Sequence, residues 1–261
     1  MNNNFILIFR FFYRFKLFKR IIPSILRKIG GIVTLNIFNF KMYLSLSDSI
    51  DREIFLTGCY DKDRFFFLQN HLTNNKFEYF FDIGSYKGFY SLFLYHKKLI
   101  PNIFAFEANK KNYEILNKNI QLNKSKINIY NIALSDTKGE AKIWFSDSNK
   151  TGGSSILNPL DNEISKYDKS KIIYESVKLD TLDSTFTNII GKKILIKIDV
   201  ERHEINVLKG SYNFIRNNKI LLQVEVMKNQ KKTVFDYLIK NNFIHHYSID
   251  DDHFFSNFIK V

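Results

Sequence analysis

The sequence predicts an α/β fold built on a doubly wound, mostly parallel sheet of seven strands. Four short runs rich in Ile, Val, Leu and Phe each end in an acidic residue: Asp82, Glu107, Asp199 and Glu225. Such runs, separated by stretches of helical periodicity, are typical of parallel strands buried on both faces. Ligands bind these sheets at the carboxyl ends of the strands. Carboxylates placed there are costly unless they meet cationic or hydroxyl-rich groups, so we expect a ligand with positive charge and a ribose.

The predicted strands and helices alternate along the chain in a regular order. Five core strands are expected at residues 77–81, 102–106, 127–133, 194–198 and 220–224, and two short strands close the chain. Helices are expected after residue 88, from about residue 109, over residues 205–215 and over residues 230–240. Two inserted β segments, at residues 138–145 and 171–182, interrupt this alternation. Together they define a predicted domain over residues 75–261.

Residues 1–74 are predicted to form a helical extension and a connecting region, with a helix around residues 61–71. The chain has a net charge of +13, yet before Asp48 it carries eight basic residues and no acidic one. Within residues 1–28, five apolar side chains share one helical face: Ile8, Phe12, Phe15, Ile22 and Leu26. Pro23 is expected to end or restart this helix. The pattern predicts a basic amphipathic arm.

Two interpretations of this arm remain open from the sequence. In one, it lies on the surface of an anionic membrane. In the other, it docks on the domain or on a partner with its basic side in solvent. No uncharged apolar stretch approaches the ~20 residues needed to span a bilayer. Basic residues are interleaved and no small-residue cleavage site follows, so a signal peptide is not expected.

The single cysteine, Cys59, allows no internal disulfide and no cysteine-based metal site. This usage is typical of a reducing cytoplasm. We therefore expect a cytoplasmic protein, with peripheral contact at the inner face of the cytoplasmic membrane if the arm binds lipid.

A glycine turn follows the first predicted strand. Gly84 and Gly88 form a G-x-x-x-G pattern, two residues beyond Asp82. A pyrophosphate at the next helix start would face this carboxylate, which is unfavourable. S-adenosylmethionine carries no phosphate and is cationic, and Glu107 at the next strand end suits two ribose hydroxyls. The alternative is that Asp82 and Glu107 only cap the local turns.

These residues, together with Lys197-Ile198-Asp199-Val200-Glu201-Arg202-His203-Glu204, resemble the FkbM family of S-adenosylmethionine-dependent methyltransferases. The resemblance extends through Asn131-Ile132-Ala133-Leu134-Ser135-Asp136, Leu179-Asp180-Thr181-Leu182-Asp183 and Leu208-Lys209-Gly210. It implies the class I, Rossmann-like methyltransferase fold and O-methylation, commonly of sugars or natural products. It also implies these cofactor-binding residues: Asp82, Gly84, Ser85, Tyr86, Gly88, Glu107, Ala108, Asn131, Ala133 and Asp199.

Three positions depart from the family pattern. Tyr86 replaces the usual Asn, Ala108 the usual Pro, and Arg202 the usual Gly. The first two change local contacts around the expected cofactor. Arg202 is expected to place a large cation beside the acceptor site.

The fourth core strand carries the expected catalytic groups. Lys197 and Asp199 point to one face of a buried strand, so Lys197 is expected to pair with Asp199 or Glu225. A neutral sugar hydroxyl is a poor nucleophile, so a general base assists its attack. We predict Asp199, His203 and Glu201 as catalytic residues, with Glu201, Glu204 or Asp199 orienting the imidazole of His203.

Two other roles remain open for these side chains. His203 and Glu204 are also suited to capping the following helix. Asp199, Glu201 and His203 offer donors of a kind that binds Mg²⁺, although no spacing here requires a metal.

The favoured function is an O-methyltransferase acting on a sugar or a glycan, including a lipid-linked one. A nucleic-acid methyltransferase is not favoured, because the chain has no N-P-P-Y-type motif and no base-binding aromatic pattern. A non-catalytic, membrane-associated module with this fold is a further alternative. The glycine spacing and Asp82 argue against a nicotinamide oxidoreductase.

Overall fold

The structure is a computed structural model that describes residues 3–146, 153–156 and 172–258. Lys171, the first residue of the predicted segment 171–182, lies outside these ranges. Twelve strands and ten helices are assigned within the described residues.

The main sheet has seven strands in the order β11-β12-β10-β9-β3-β4-β5. Their bounds are β3 Tyr79–Ile83, β4 Asn102–Phe106, β5 Asn128–Tyr130, β9 Lys193–Ile198, β10 Lys219–Glu225, β11 Ile244–Ile249 and β12 Asp252–Ser256. Strands β5, β4, β3, β9 and β10 run parallel, and β12 is antiparallel to both of its neighbours. The predicted fold class is confirmed. The strand order reverses between β3 and β9, and this is where a ligand crevice is expected.

Helices cover both faces of this sheet. They are α5 Phe89–His96, α6 Lys110–Leu122, α7 Leu182–Thr185, α8 Glu204–Lys209, α9 Tyr212–Arg216 and α10 Lys231–Lys240. Within β3, Phe80 belongs to the apolar cluster on one face and Phe81 to the cluster on the other, and both are fully buried. Burial on both faces explains why the strand sequences are continuously apolar rather than alternating.

The inserted β segments form a separate three-stranded sheet. It has the order β6-β8-β7, with bounds β6 Ala133–Leu134, β7 Gly139–Ser146 and β8 Ile172–Asp180. The predicted third strand over residues 127–133 is therefore wrong in its last part. The chain leaves the main sheet after Tyr130, where the side-chain amide of Asn131 donates to the backbone carbonyls of Glu107 and Ala108.

The helix predicted over residues 205–215 is two helices, α8 and α9. Gly210 lies so close to the Ser135 carbonyl that a Cβ atom there would be 1.8 Å from its oxygen. This backbone contact holds the α8–α9 junction against the residue that follows β6.

Residues 3–74 contain more regular structure than the sequence suggested. The elements are α1 Asn3–Tyr13, α2 Phe18–Ile29, β1 Ile32–Ile37, β2 Phe40–Ser45, α3 Ser49–Thr57 and α4 Lys62–Asn74, with β1 and β2 paired as an antiparallel hairpin. The predicted helix around residues 61–71 is α4. Pro23 does not end a helix, since it lies inside α2 and the break falls between Tyr13 and Phe18. Side chains from this region join the apolar cluster on one face of the sheet.

Candidate active site

A cavity opens at the carboxyl ends of β3, β4 and β9. Its volume is about 170 Å³. The predicted site residues that line it are Asp82, Gly84, Ser85, Tyr86, Glu107, Ala108, Ala133, Asp199, Glu201 and His203. The cavity therefore lies where the strand order reverses, as the sheet topology requires.

The glycine loop is held against the neighbouring strand ends. The amides of Gly84 and Ser85 donate to the Phe106 carbonyl at 3.0 and 2.9 Å. Gly84 has φ +81°, and a Cβ there would lie 1.8 Å from the Asp199 carbonyl oxygen. Gly88 has φ +85°, and a Cβ there would meet Leu116 at 2.5 Å. Both positions favour glycine for their conformation, and only at Gly84 does backbone also leave no space for a Cβ. Only Gly84 is among the residues that line the cavity.

Glu107 is held by the backbone of two loops. Its two carboxylate oxygens accept from the Tyr86 amide at 2.8 Å and from the Asn109 amide at 2.9 Å. Burial raises the pKa of Glu107 to about 7, even though these amides favour the ionised form. Oε1 also accepts from the Asn112 side-chain amide at 3.5 Å, whereas Oε2 keeps a second lone pair that can accept from a ligand. Asn131, also predicted to bind cofactor, instead supports the Glu107–Ala108 backbone.

Asp82 lies deeper beneath the glycine loop. It is buried and accepts from the Ser91 hydroxyl at 2.6 Å. Burial raises its pKa, and the nearby Lys197 ammonium opposes this rise. The Ser85 hydroxyl, also buried at the cavity wall, has no hydrogen-bond partner among the described residues. A buried hydroxyl without a partner is costly, so this atom indicates the place of a ligand polar group.

A second group of charges lies at the ends of β9 and β10. Lys197 contacts Asp199 at 2.7 Å, which confirms one of the two predicted ion pairs. Burial alone would raise the pKa of Asp199, but Lys197 and a hydrogen bond from Glu225 hold it below its ordinary value. The charge of Asp199, and then burial, raise the pKa of Glu225 to about 10. The two carboxyl groups therefore share one proton, which resides on Glu225.

His203 precedes α8 and is buried at the cavity wall. Its Nε2 lies 2.9 Å from the Ser135 hydroxyl, which donates onward to Asp136 at 3.1 Å. We assign Nε2 as the donor to Ser135, which leaves Nδ1 as the basic nitrogen. The prediction that Glu201, Glu204 or Asp199 orients His203 is not met by any hydrogen bond among the described residues. Burial lowers the pKa of His203, so the imidazole is neutral near pH 7.

The loop after β9 is strained and shapes the wall near Asp199. Glu201 and Arg202 have φ +53° and +78°, a conformation unusual for residues with side chains. Burial, followed by the charge of Asp199, raises the pKa of Glu201 to about 7. Arg202 is expected to place its cation beside the acceptor site. Its side chain is not among those lining the cavity, and its Nε contacts the Met227 sulfur at 3.1 Å.

The N-terminal region completes the cavity wall, which the sequence did not reveal. Five of its side chains line the cavity: Met42, Ile50, Asp51, Ile54 and Tyr60. Asp51 and Lys87 form a buried ion pair at 2.5 Å, which joins α3 to the glycine loop. These residues are remote from the motifs along the chain, so no local spacing could have identified them. Ser135 and Glu225 were not among the predicted site residues. Both lie within the sequence motifs described above, so the sequence did offer a signal for them.

Part of the cavity wall is apolar. It is formed by Ile132, Ala133, Ile143 and Ile156, with Ala108 beside them. Such a surface suits an aromatic ring system. Within the described residues, no group of three His, Cys, Asp or Glu side chains is arranged to hold a metal ion.

The strand order, the glycine turn and the acidic residue after the second parallel strand define a class I, Rossmann-like methyltransferase. The family model for the methyltransferase FkbM domain matches residues 82–249. The chain therefore belongs to the FkbM methyltransferase family.

Solved structures resemble the chain only weakly. An FkbM methyltransferase from Methylobacillus flagellatus KT is 15% identical, with a TM-score of 0.47, over 69% of this chain and 44% of that one. A Pyrococcus abyssi tRNA (uracil-54, C5)-methyltransferase in complex with S-adenosyl-L-homocysteine is 9% identical, with a TM-score of 0.45, over 86% and 42%. This chain thus spans less than half the length of either. No curated protein matches significantly. Similarity at this level carries no information about the acceptor.

Proposed function

We propose that this protein is an S-adenosylmethionine-dependent O-methyltransferase that acts on a hydroxyl of a sugar or cell-surface glycan. The observation that carries the proposal is the arrangement of one cavity. A carboxylate suited to a ribose lies at one strand end, and the Asp199–Glu225 pair and the neutral His203 lie at others. Family membership supports methyl transfer, and the basic groups of the cavity favour an acceptor that must lose a proton.

The residues present fit the cofactor. Glu107 retains a lone pair on Oε2 for a ribose hydroxyl, and the unpartnered Ser85 hydroxyl can meet a further polar group. The apolar wall around Ala133 and Ile143 suits the adenine ring. Carboxyl groups outnumber ammonium groups in the cavity lining, which favours a cationic ligand. When bound, the cofactor supplies an electrophilic methyl group on a sulfonium.

His203 is proposed as the general base and Asp199 as the group that orients the acceptor. A neutral imidazole can take the hydroxyl proton at Nδ1 as the oxygen forms its bond to carbon. Nε2 keeps its proton in the hydrogen bond to Ser135, and Asp136 stabilises the cation that forms. Asp199 stays ionised and is fixed by Lys197, so it can accept a hydrogen bond from a second hydroxyl. Alignment of the acceptor oxygen accounts for much of the rate in such a displacement.

Calorimetric titration of S-adenosylmethionine tests the cofactor site first. We expect saturable binding by the wild-type protein and a loss of more than about tenfold in Glu107→Ala, since hydrogen bonds to a charged group contribute about 1.5–3 kcal/mol. Asp82→Ala should also weaken binding, and Lys232→Ala, on the exposed face of α10, serves as the control. Well-folded wild-type protein that binds no cofactor would leave only a non-catalytic module with this fold.

Transfer of a labelled methyl group tests the acceptor. Sugars, glycans and lipid-linked glycans form one panel, and transfer RNA forms a second. His203→Ala is expected to lower turnover by about 10²-fold or more while cofactor affinity changes little. Asp199→Asn is expected to lower both turnover and cofactor affinity, because Asp199 is also a predicted cofactor-binding residue. Methylation of RNA alone would replace the proposed acceptor class. Unchanged turnover in both variants would remove the proposed roles of these two residues.

A further inference from the structure

The helical hairpin formed by α1 and α2, residues 3–29, exposes an apolar surface. Nine of its large apolar side chains are exposed: Leu7, Ile8, Phe11, Phe12, Phe15, Leu17, Ile21, Ile25 and Ile29. Leu7 is 63% exposed and Leu17 is 72% exposed. Clustered exposure of this kind marks an interaction surface, whereas scattered single residues do not.

The hairpin is anchored to the protein by its other side. Ile6, Ile22 and Leu26 are buried in the cluster that extends through α3 to the main sheet. The Arg10 guanidinium donates to the Phe55 carbonyl of α3 at 2.8 Å. The exposed residues Ile21, Ile25 and Ile29 recur every four positions, so they form a second apolar stripe on α2 beside the buried one. Packing against the domain therefore leaves this second stripe without a partner among the described residues.

Aromatic rings gather where the two helices meet. Phe11 contacts Phe12 and Phe15 at centroid distances of 5.4 and 5.6 Å, and Phe12 contacts Phe18 at 5.3 Å. Phe11, Phe12 and Phe15 remain exposed. Aromatic and aliphatic side chains at one end of a short hairpin are suited to the boundary between lipid headgroups and acyl chains.

The charge around this surface is of one sign. Six exposed basic residues are interleaved with the apolar ones: Arg14, Lys16, Lys19, Arg20, Arg27 and Lys28. No acidic residue occurs before Asp48. Two copies of the chain joined symmetrically through this face would bring these cations together without counter-charges. An anionic surface is complementary to it.

We infer that the α1–α2 hairpin docks on the surface of an anionic lipid bilayer. The apolar stripe enters the boundary of the acyl region, and the basic residues contact the lipid headgroups. No helix of the described ranges is both long and apolar enough to cross a bilayer. Docking brings the cavity close to the membrane, because α3 contacts the hairpin through Phe55 and lines the cavity through Ile50 and Ile54. A lipid-linked acceptor follows only if the proposed methyl transfer is correct, whereas membrane docking does not depend on it.

Sedimentation of the full chain with lipid vesicles tests the inference. Vesicles of phosphatidylcholine with phosphatidylglycerol should bind the protein, and vesicles of phosphatidylcholine alone should bind it at least about tenfold more weakly. Binding should weaken as salt increases. Lys19→Ser combined with Arg20→Ser should reduce binding by roughly thirtyfold, because each basic residue near an anionic surface contributes a factor of about five.

Two controls separate docking from other effects. Lys232→Ser combined with Lys240→Ser makes the same change in charge on the exposed face of α10 and should have little effect. Phe11→Ser should weaken binding, whereas Ile239→Ser, at another exposed apolar position, should not. Circular dichroism establishes that each variant is folded. The inference is overturned if folded wild-type protein ignores anionic vesicles, or if the hairpin variants bind as well as the controls. It is also overturned if light scattering shows a stable dimer that Phe11→Ser dissociates.

Discussion

The ammonium group of Lys87, in the glycine loop, lies 2.5 Å from the Asp51 carboxylate of α3, and both side chains are almost fully buried. Asp51 also accepts from the Ser45 amide at 2.6 Å. Burial raises the pKa of Asp51 to about 6, and the Lys87 charge limits this rise. This contact joins the N-terminal region to the glycine loop at the cavity wall.

Lys87→Met should destabilise the fold by about 3–5 kcal/mol, because it leaves an uncompensated buried carboxylate. Combining it with Asp51→Asn should recover much of this loss. Denaturant unfolding of the two single variants and the double variant measures the coupling. A cost below about 1 kcal/mol for Lys87→Met would show that the pair does not join the two regions.

The affinity for S-adenosylmethionine should rise as the pH increases from about 6 to 8. Ribose hydroxyls donate to the ionised Glu107, whose pKa burial raises to about 7. Ionisation opposes folding of the unliganded protein. The pKa of Glu107 is 4.5 in the unfolded chain and about 7 in the folded protein. The stability that protonated Glu107 contributes is therefore fully present below about pH 4.5 and is lost as the pH rises through about 7.

Glu107→Gln provides the control for this pH dependence. The variant has no proton to lose at this position, so its weaker affinity should vary much less across the same range. Calorimetric titrations at matched ionic strength measure both proteins. Parallel pH profiles for wild type and variant would assign the titration to another group.

Gly84→Ala should abolish cofactor binding and destabilise the fold by several kcal/mol. The new Cβ would lie 1.8 Å from the Asp199 carbonyl oxygen, in addition to the strain at φ +81°. Gly31→Ala is the matched control, since Gly31 has φ +83° and nothing within 4 Å of a Cβ. It should cost only about 1–2 kcal/mol, the usual penalty for this conformation. Equal melting temperatures for the two variants would contradict the steric argument.

Arg202→Gly should stabilise the protein by about 1 kcal/mol. Arg202 has φ +78°, a region that glycine adopts without strain. Arg202→Ala is the control, because it removes the contact with Met227 but keeps the strained backbone. Thermal unfolding should therefore place the glycine variant above the alanine variant. An alanine variant at least as stable as the glycine variant would show that the left-handed backbone at this position carries no such strain.

Glu225→Gln should retain most of the turnover, whereas Glu225→Ala should lower it by about tenfold or more. Glu225 is protonated at neutral pH, since the charge of Asp199 raises its pKa to about 10, and it donates to Asp199. A neutral amide can replace this donor, and alanine cannot. Turnover measured at saturating cofactor compares the two variants. Equal losses would show that Glu225 acts as a carboxylate.

The sequence was sufficient for the alternation of strands and helices because burial on both faces makes parallel strands continuously apolar. It also grouped Asp82, Gly84, Ser85 and Glu107, which lie at or just after strand ends and all line the cavity. The break after Tyr130 and the division between α8 and α9 were missed. Each depends on a contact between distant segments. The Asn131 side-chain amide donates to the Glu107 carbonyl, and Gly210 packs against the Ser135 carbonyl.

The partners of the site residues were decided by the tertiary structure. The sequence assigned His203 a carboxylate from its own loop, but folding brings Ser135 to it from a different strand end. It gave Arg202 no partner, and in the structure its Nε contacts the Met227 sulfur. Which residues follow the strands is a local property and can be read from hydrophobic periodicity. Which side chains meet across the cavity depends on the packing of segments as far apart as Asp51 and Lys87, and no local pattern encodes it.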